Sequence, residues 1–127
     1  MVYVPYPRGT ILIPTDNTKH LFIIITKECT VGSHLLLNVS SIRKGKFHDP
    51  ACVFEGGEHP FIKNHSFVFY RQAKQIRAKS ISESVANSYY TEKDALGPVH
   101  FAKVCEGIMQ SKFTEPWVKE YFRKNAP

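Results

Sequence analysis

Polar and glycine-containing turns break the first 79 residues into short apolar runs, none of them long enough for a buried helix. The runs are Thr10 to Pro14, Leu21 to Thr26, Leu35 to Val39, Ala51 to Phe54 and Ser66 to Tyr70, with Ala73 to Ala78 extending the pairing at an edge. Short β-rich runs at this spacing predict a small antiparallel barrel or a strongly bent sheet. Within Ser66 to Tyr70 the apolar residues do not alternate with polar ones, so both faces of that strand should be covered. The pattern changes near Ser80. Phe101, Val104, Cys105, Ile108 and Met109 recur at helical spacing, predicting a helix over 98–111 with Pro98 in its first turn and Gly97 before it. Thr114 reads as the N-cap of a second helix, with Pro116 in its first turn and Trp117, Val118, Tyr121 and Phe122 on its apolar side. Residues 80–96 hold at most a short helix from Ile81 to Ala86, followed by a loop. The expected fold is mainly β with C-terminal helices (α+β), an antiparallel barrel capped by two or three helices. Residues 1–127 form one domain, with a β part over 1–79 and a helical tail over 80–127.

A chain of 127 residues suits one modest core, and an aromatic content of 13% belongs to a folded protein rather than a disordered one. No apolar run approaches the ~20 residues that span a bilayer, so no membrane role is expected. The first ten residues lack a basic region followed by an apolar stretch, the mark of a secretory signal. Cys29, Cys52 and Cys105 are odd in number and widely spaced, which predicts reduced thiols and a cytoplasmic setting. Charge is uneven. Residues 1–79 carry 11 Lys+Arg against 5 Asp+Glu, whereas residues 80–127 carry 6 of each. All of the net +6 and five of the six histidines therefore lie in the β part, where the excess would draw in a polyanion.

The segment Gly56 to Arg71 concentrates the chemistry. It sets His59, His65, Glu58 and Asn64 around a Gly56-Gly57 turn and runs into an aromatic strand ending at Arg71. Imidazole titrates near neutrality, so it can take a proton in one step and return one in another. Metal-free RNA cleavage needs both acts, together with cations where phosphate charge builds up. His20, His59 and His65 stand at strand or turn boundaries as proton-transfer candidates. Lys19, Arg43, Lys63 and Arg71 are candidate phosphate clamps. Ser40 and Ser41 end the third run beside the basic loop Arg43-Lys44-Gly45-Lys46, with Asn38 on the same side of the sheet as Ser40. Tyr3, Tyr6, Phe47 and Tyr70 are of the types that stack on bases. His48, Asp49, Cys52, His59 and His65 offer metal-ligand chemistry but none of the tight spacings of common zinc motifs, so no metal or cofactor is expected. Motifs for binding nucleoside triphosphates or dinucleotides, and the hydrolase elbow, are all missing.

The order of elements resembles the PemK/MazF family of toxin ribonucleases, small SH3-like barrels with C-terminal helices. The resemblance rests on Gly9-Thr10-Ile11-Leu12-Ile13, then a polar loop, then His20 to Thr26, and then Leu35 to Ser41, whose end carries hydroxyls; it covers about residues 8–79. It implies that Ser40 or Ser41 contacts the scissile phosphate. Family members commonly enter the second strand with an Arg-Pro pair, the arginine taking part in proton transfer; this chain has Lys19-His20 there, which would hand that role to His20. The resemblance further implies a homodimer, single-stranded RNA as substrate and a cognate protein antitoxin. Two functions follow as expectations. The first is a metal-independent endoribonuclease of a toxin–antitoxin or phage-defence pair, using His20 with His59 or His65. The second is a non-catalytic barrel that binds nucleic acid or a protein partner, with its histidines serving structure.

Overall fold

The computed structural model describes residues 2–127 and contains seven strands and three α-helices. The strands are β1 (Thr10–Thr15), β2 (Thr18–Ile24), β3 (Ser33–Ser41), β4 (Val53–Phe54), β5 (Ser66–Val68), β6 (Lys74–Arg77) and β7 (Thr91–Lys93). The helices are α1 (Ala78–Ala86), α2 (Pro98–Gln110) and α3 (Pro116–Asn125). The expected class, mainly β with C-terminal helices, is the class observed. All pairings are antiparallel in the order β4-β5-β3-β2-β1-β7, and β6 also pairs with β3.

A two-residue turn joins β1 to β2, with Thr15 opposite Thr18. Asp16 takes φ +54° there, a left-handed conformation that a short polar side chain tolerates better than most. β3 organises the sheet. One edge pairs with β2 from Leu36 to Val39, and the other is shared by β6 along Ser33–Leu36 and β5 along Val39–Ser41.

Alternation along these strands feeds two separate cores. Leu12, Leu21, Ile23, Leu35, Leu37 and Val39 pack beneath Phe101, Val104 and Ile108 of α2 and Val118 of α3. Ile11, Ile13, Phe22, Ile24 and Leu36 face the other way and are covered by Ile81 of α1. Helices on both faces explain why so many strand residues are fully buried without a polar side. Tyr70 locks the tail down: its hydroxyl donates to the Val104 carbonyl at 2.7 Å. A Cβ on Gly107 would lie 1.9 Å from that hydroxyl oxygen, so only glycine admits the ring. Burial, then the neighbouring Cys52 thiol, push the Tyr70 phenol far above its ordinary value. Tyr70 is a core residue, out of reach of any base.

Three expectations need correction. The sheet does not close into a barrel: among the described residues no backbone ladder joins β4 to β7. The chain leaves β4 through Gly56 and Gly57, at φ +119° and +98°, and folds into a turn instead of running on beside β7. Residues 91–93, expected in a loop of the tail, form β7 and pair with β1. Thr114 is not a cap. Glu115 holds the N-cap position of α3, and the Thr114 hydroxyl is buried without a partner. All three cysteines are free thiols, and burial pushes Cys105 up to about 11. No helix among the described residues is long and apolar enough to cross a membrane.

Candidate functional site

Where β2 begins and β3 ends, the sheet passes beyond the cover of its helices. Leu21 and Val39 are the last pair between β2 and β3, and beyond them Lys19, His20, Ser40 and Ser41 face one opening between the two strands. The backbone then turns into the loop of Arg43, Lys46 and Phe47. Together these residues line an open groove of about 360 Å³, with Phe61, Phe67 and Phe69 on its other walls. Three cations border it, Lys19, Arg43 and Lys46, and no carboxylate does. The ion pairs among the described residues are both made by Glu120 on α3, with Arg123 and, at 3.5 Å, Lys124, so none neutralises the groove.

His20 sits at half-buried depth between this groove and a second cavity on the far side of Ser40. Its Nδ1 is in hydrogen-bond contact with the Thr15 hydroxyl, which fixes the ring, while Nε2 has no hydrogen-bond partner among the described residues. Thr15 was not singled out from the sequence. The signal was there: Ile13 lies opposite His20, so Thr15 is its diagonal neighbour in the hairpin, within reach of a long side chain. Ser40 Oγ accepts from Asn38 Nδ2 at 3.3 Å, which leaves its own proton free to donate.

Aromatic residues complete the rim. Phe47 and Phe61 are 43% and 42% exposed, unusual for phenylalanine, and both line the groove. Arg71 lies outside it, behind one wall. Its guanidinium carbon is 5.1 Å from the centroid of Phe47, with Phe113 at 5.9 Å and Phe69 at 6.0 Å. Arg71 thus buttresses the aromatic wall from behind.

The remaining candidates are elsewhere. His59 is 3% exposed, in the turn beyond β4, and all its nitrogens are engaged. Nδ1 accepts from the Phe61 amide at 2.9 Å, which assigns the ring proton to Nε2, and Nε2 donates to the Asp94 carbonyl at 2.6 Å. The Thr10 hydroxyl lies 3.1 Å from Nε2 and donates to the same carbonyl at 2.6 Å. This imidazole joins the β4 side of the open sheet to β1 and the end of β7, spanning by a side chain the gap that no ladder closes. Lys63 lies at the same seam, beside His59 and Asp94. His65 is exposed and lines neither the groove nor the cavity beside it; its carbonyl accepts from the Ile42 amide at 2.9 Å. Sequence alone placed three imidazoles as partners, and the fold brings one of them to the groove.

Glu58 holds the seam turn in shape. Its carboxylate accepts from the Glu55 and Gly56 amides, both at 2.8 Å. Burial opposes its charge, but those backbone amides and nearby His100 outweigh it and hold the carboxyl below the usual range. Among the described residues no three His, Cys, Asp or Glu side chains converge as a metal site requires. No protein-family model matches this chain, and no curated protein matches it in sequence.

Proposed function

We propose that the groove between β2, β3 and the Arg43–Phe47 loop binds single-stranded RNA and cuts it without a metal ion. The observation that supports this is the gathering of Lys19, His20, Ser40, Ser41, Arg43 and Lys46 around one open groove with two exposed phenylalanines. The cations take the phosphates, and the exposed rings favour unpaired bases that can stack. Ser40 and Ser41 donate hydrogen bonds to the phosphate at the point of cleavage. His20, its Nδ1 proton donated to Thr15, presents a free Nε2 as base.

In this scheme the ribose 2′ oxygen attacks phosphorus as its proton passes to His20 Nε2. The bond from phosphorus to the 5′ oxygen breaks, leaving a 2′,3′-cyclic phosphate and a 5′-hydroxyl. Lys19 and Arg43 offset the charge that builds on the phosphate oxygens. No second histidine lines the groove, so the departing 5′ oxygen takes its proton from water. The roles of toxin and antitoxin target, and the homodimer, belong to the same proposal through the resemblance alone.

One observation favours a second reading. With His59 held in the seam, the pair of imidazoles that efficient cleavage uses is absent from the groove, which then serves as a binding surface only. Incubating the purified protein with a long single-stranded RNA in EDTA separates the two. Products ending in 2′,3′-cyclic phosphate are the expected result; intact RNA that binds with steep salt dependence supports the binding module. RNA neither cut nor bound contradicts both.

A further inference from the structure

On the far side of the His20–Ser40 ridge lies a second cavity of about 540 Å³, within the ~300–1,000 Å³ range of small-ligand sites. It shares His20, Ser40 and Phe69 with the cationic groove, so a chain threaded through one meets the other. Its charge differs. The groove is bordered by cations alone, whereas Asp16 and Lys74 both border this cavity and offset one another. Phosphate therefore belongs in the groove, and something neutral and flat fits better here, against the half-buried ring of Phe69.

Asn38 gives the cavity a polar point. It is 4% exposed, and its Oδ1 is buried without any hydrogen-bond partner. Nδ2 is engaged, donating to Ser40 Oγ. A buried acceptor left unpaired in a β-strand is costly to keep, and nearly all such atoms are satisfied. Oδ1 is closed to water in this structure, so a ligand meets it as the amide swings about χ2, a broad torsion in asparagine, giving up the long bond from Nδ2 to Ser40 Oγ in exchange for the ligand's.

We propose that this cavity is a nucleobase subsite in which Asn38 Oδ1 accepts a hydrogen bond from an exocyclic amino group. The inference rests on the groove being an RNA site and names the bases it prefers. Adenine and cytosine present an amino group that projects toward a lone acceptor. The one imino hydrogen of uracil is recessed between two carbonyl oxygens whose lone pairs would face Oδ1. Amino-bearing bases are therefore selected beside the phosphate that His20 and Ser40 address.

Labelled eight-nucleotide oligo(A), oligo(C) and oligo(U), made with 2′-O-methyl riboses to remove the attacking hydroxyl, test this by fluorescence anisotropy in EDTA. Oligo(A) and oligo(C) should bind on the order of 3–10-fold more tightly than oligo(U). Asn38→Leu should erase that difference with little change in melting temperature, because losing the unpaired acceptor offsets losing the one long bond from Nδ2 to Ser40 Oγ; an asparagine kept for stability would lower the melting temperature and leave the order of the three oligonucleotides unchanged. Arg43→Ala should weaken all three oligonucleotides alike. Equal wild-type affinities that still fall in Arg43→Ala overturn the subsite and leave the groove standing, as does a preference for oligo(U). Absence of binding to all three overturns both. The wild-type order decides the matter even if Asn38→Leu fails to fold.

Discussion

His20 and His59 carry the same side chain into opposite surroundings. At the groove, His20 has one nitrogen held by Thr15 and the other without a protein partner, beside Ser40 and three unpaired cations. At the seam, His59 is buried and spends both nitrogens on the Phe61 amide and the Asp94 carbonyl. One ring is held through a single nitrogen at the wall of the groove; the other is consumed in joining two parts of the sheet. What separates the candidate proton carrier from the structural histidine here is whether its second nitrogen already has a partner.

Substitutions at the two positions should separate activity from stability. His20→Gln is expected to slow RNA cleavage by ~100- to 10,000-fold, the usual worth of a proton-transfer group. It should change unfolding free energy by about 1 kcal/mol or less, the scale of one partly exposed hydrogen bond. A denaturant melt beside a cleavage time course checks both. His59→Ala should do the opposite, costing about 2–3 kcal/mol by leaving the Phe61 amide without its acceptor, removing one of the two donors to the Asp94 carbonyl and emptying a buried site, with cleavage per folded molecule unchanged. If His59→Ala instead abolishes cleavage while the protein stays folded, the contrast is broken.

Smaller effects sharpen the same division. Replacing Lys19 and Arg43 together by alanine should flatten the plot of log affinity against log salt by about 1.4, near 0.7 for each single-strand phosphate that the protein no longer neutralises. Lys63→Ala, at the seam, should leave that slope as it is. The smallest effect is expected at Glu58, whose depressed pKa contributes stability above its unfolded value of about 4.3, a contribution that disappears as pH falls through the folded value. Glu58→Gln should therefore be less stable than wild type at pH 7, with the gap closing as the solution is acidified below about pH 4. Urea melts across that interval measure it.

Much of the fold was legible because the apolar pattern is strong. β1, β2 and β3 carry buried runs that no helix would accommodate, and Pro98 and Pro116 mark the starts of α2 and α3. β7 was hidden because Thr91-Glu92-Lys93 has no apolar residue; only its pairing with β1 makes it a strand. The groove was half legible. A hairpin followed by a third strand brings Lys19, His20, Ser40 and Ser41 to one end of the sheet on register alone. His59 was illegible for the complementary reason. Its partners Asp94 and Thr10 lie 35 and 49 residues away, and one is a main-chain carbonyl with no trace in residue type. Asn38 stood beside Ser40 in the strand pattern, yet its unpaired oxygen appears only once the neighbouring strands are in place.

If RNA is cut at the groove around His20, the seam around His59 should be dispensable for cleavage. Cleavage of one long single-stranded RNA in EDTA by wild type, His20→Gln and His59→Ala, each corrected for its folded fraction, tests it most directly. Wild type and His59→Ala are expected to give cyclic-phosphate products, and His20→Gln almost none. Undiminished cleavage by His20→Gln would contradict it.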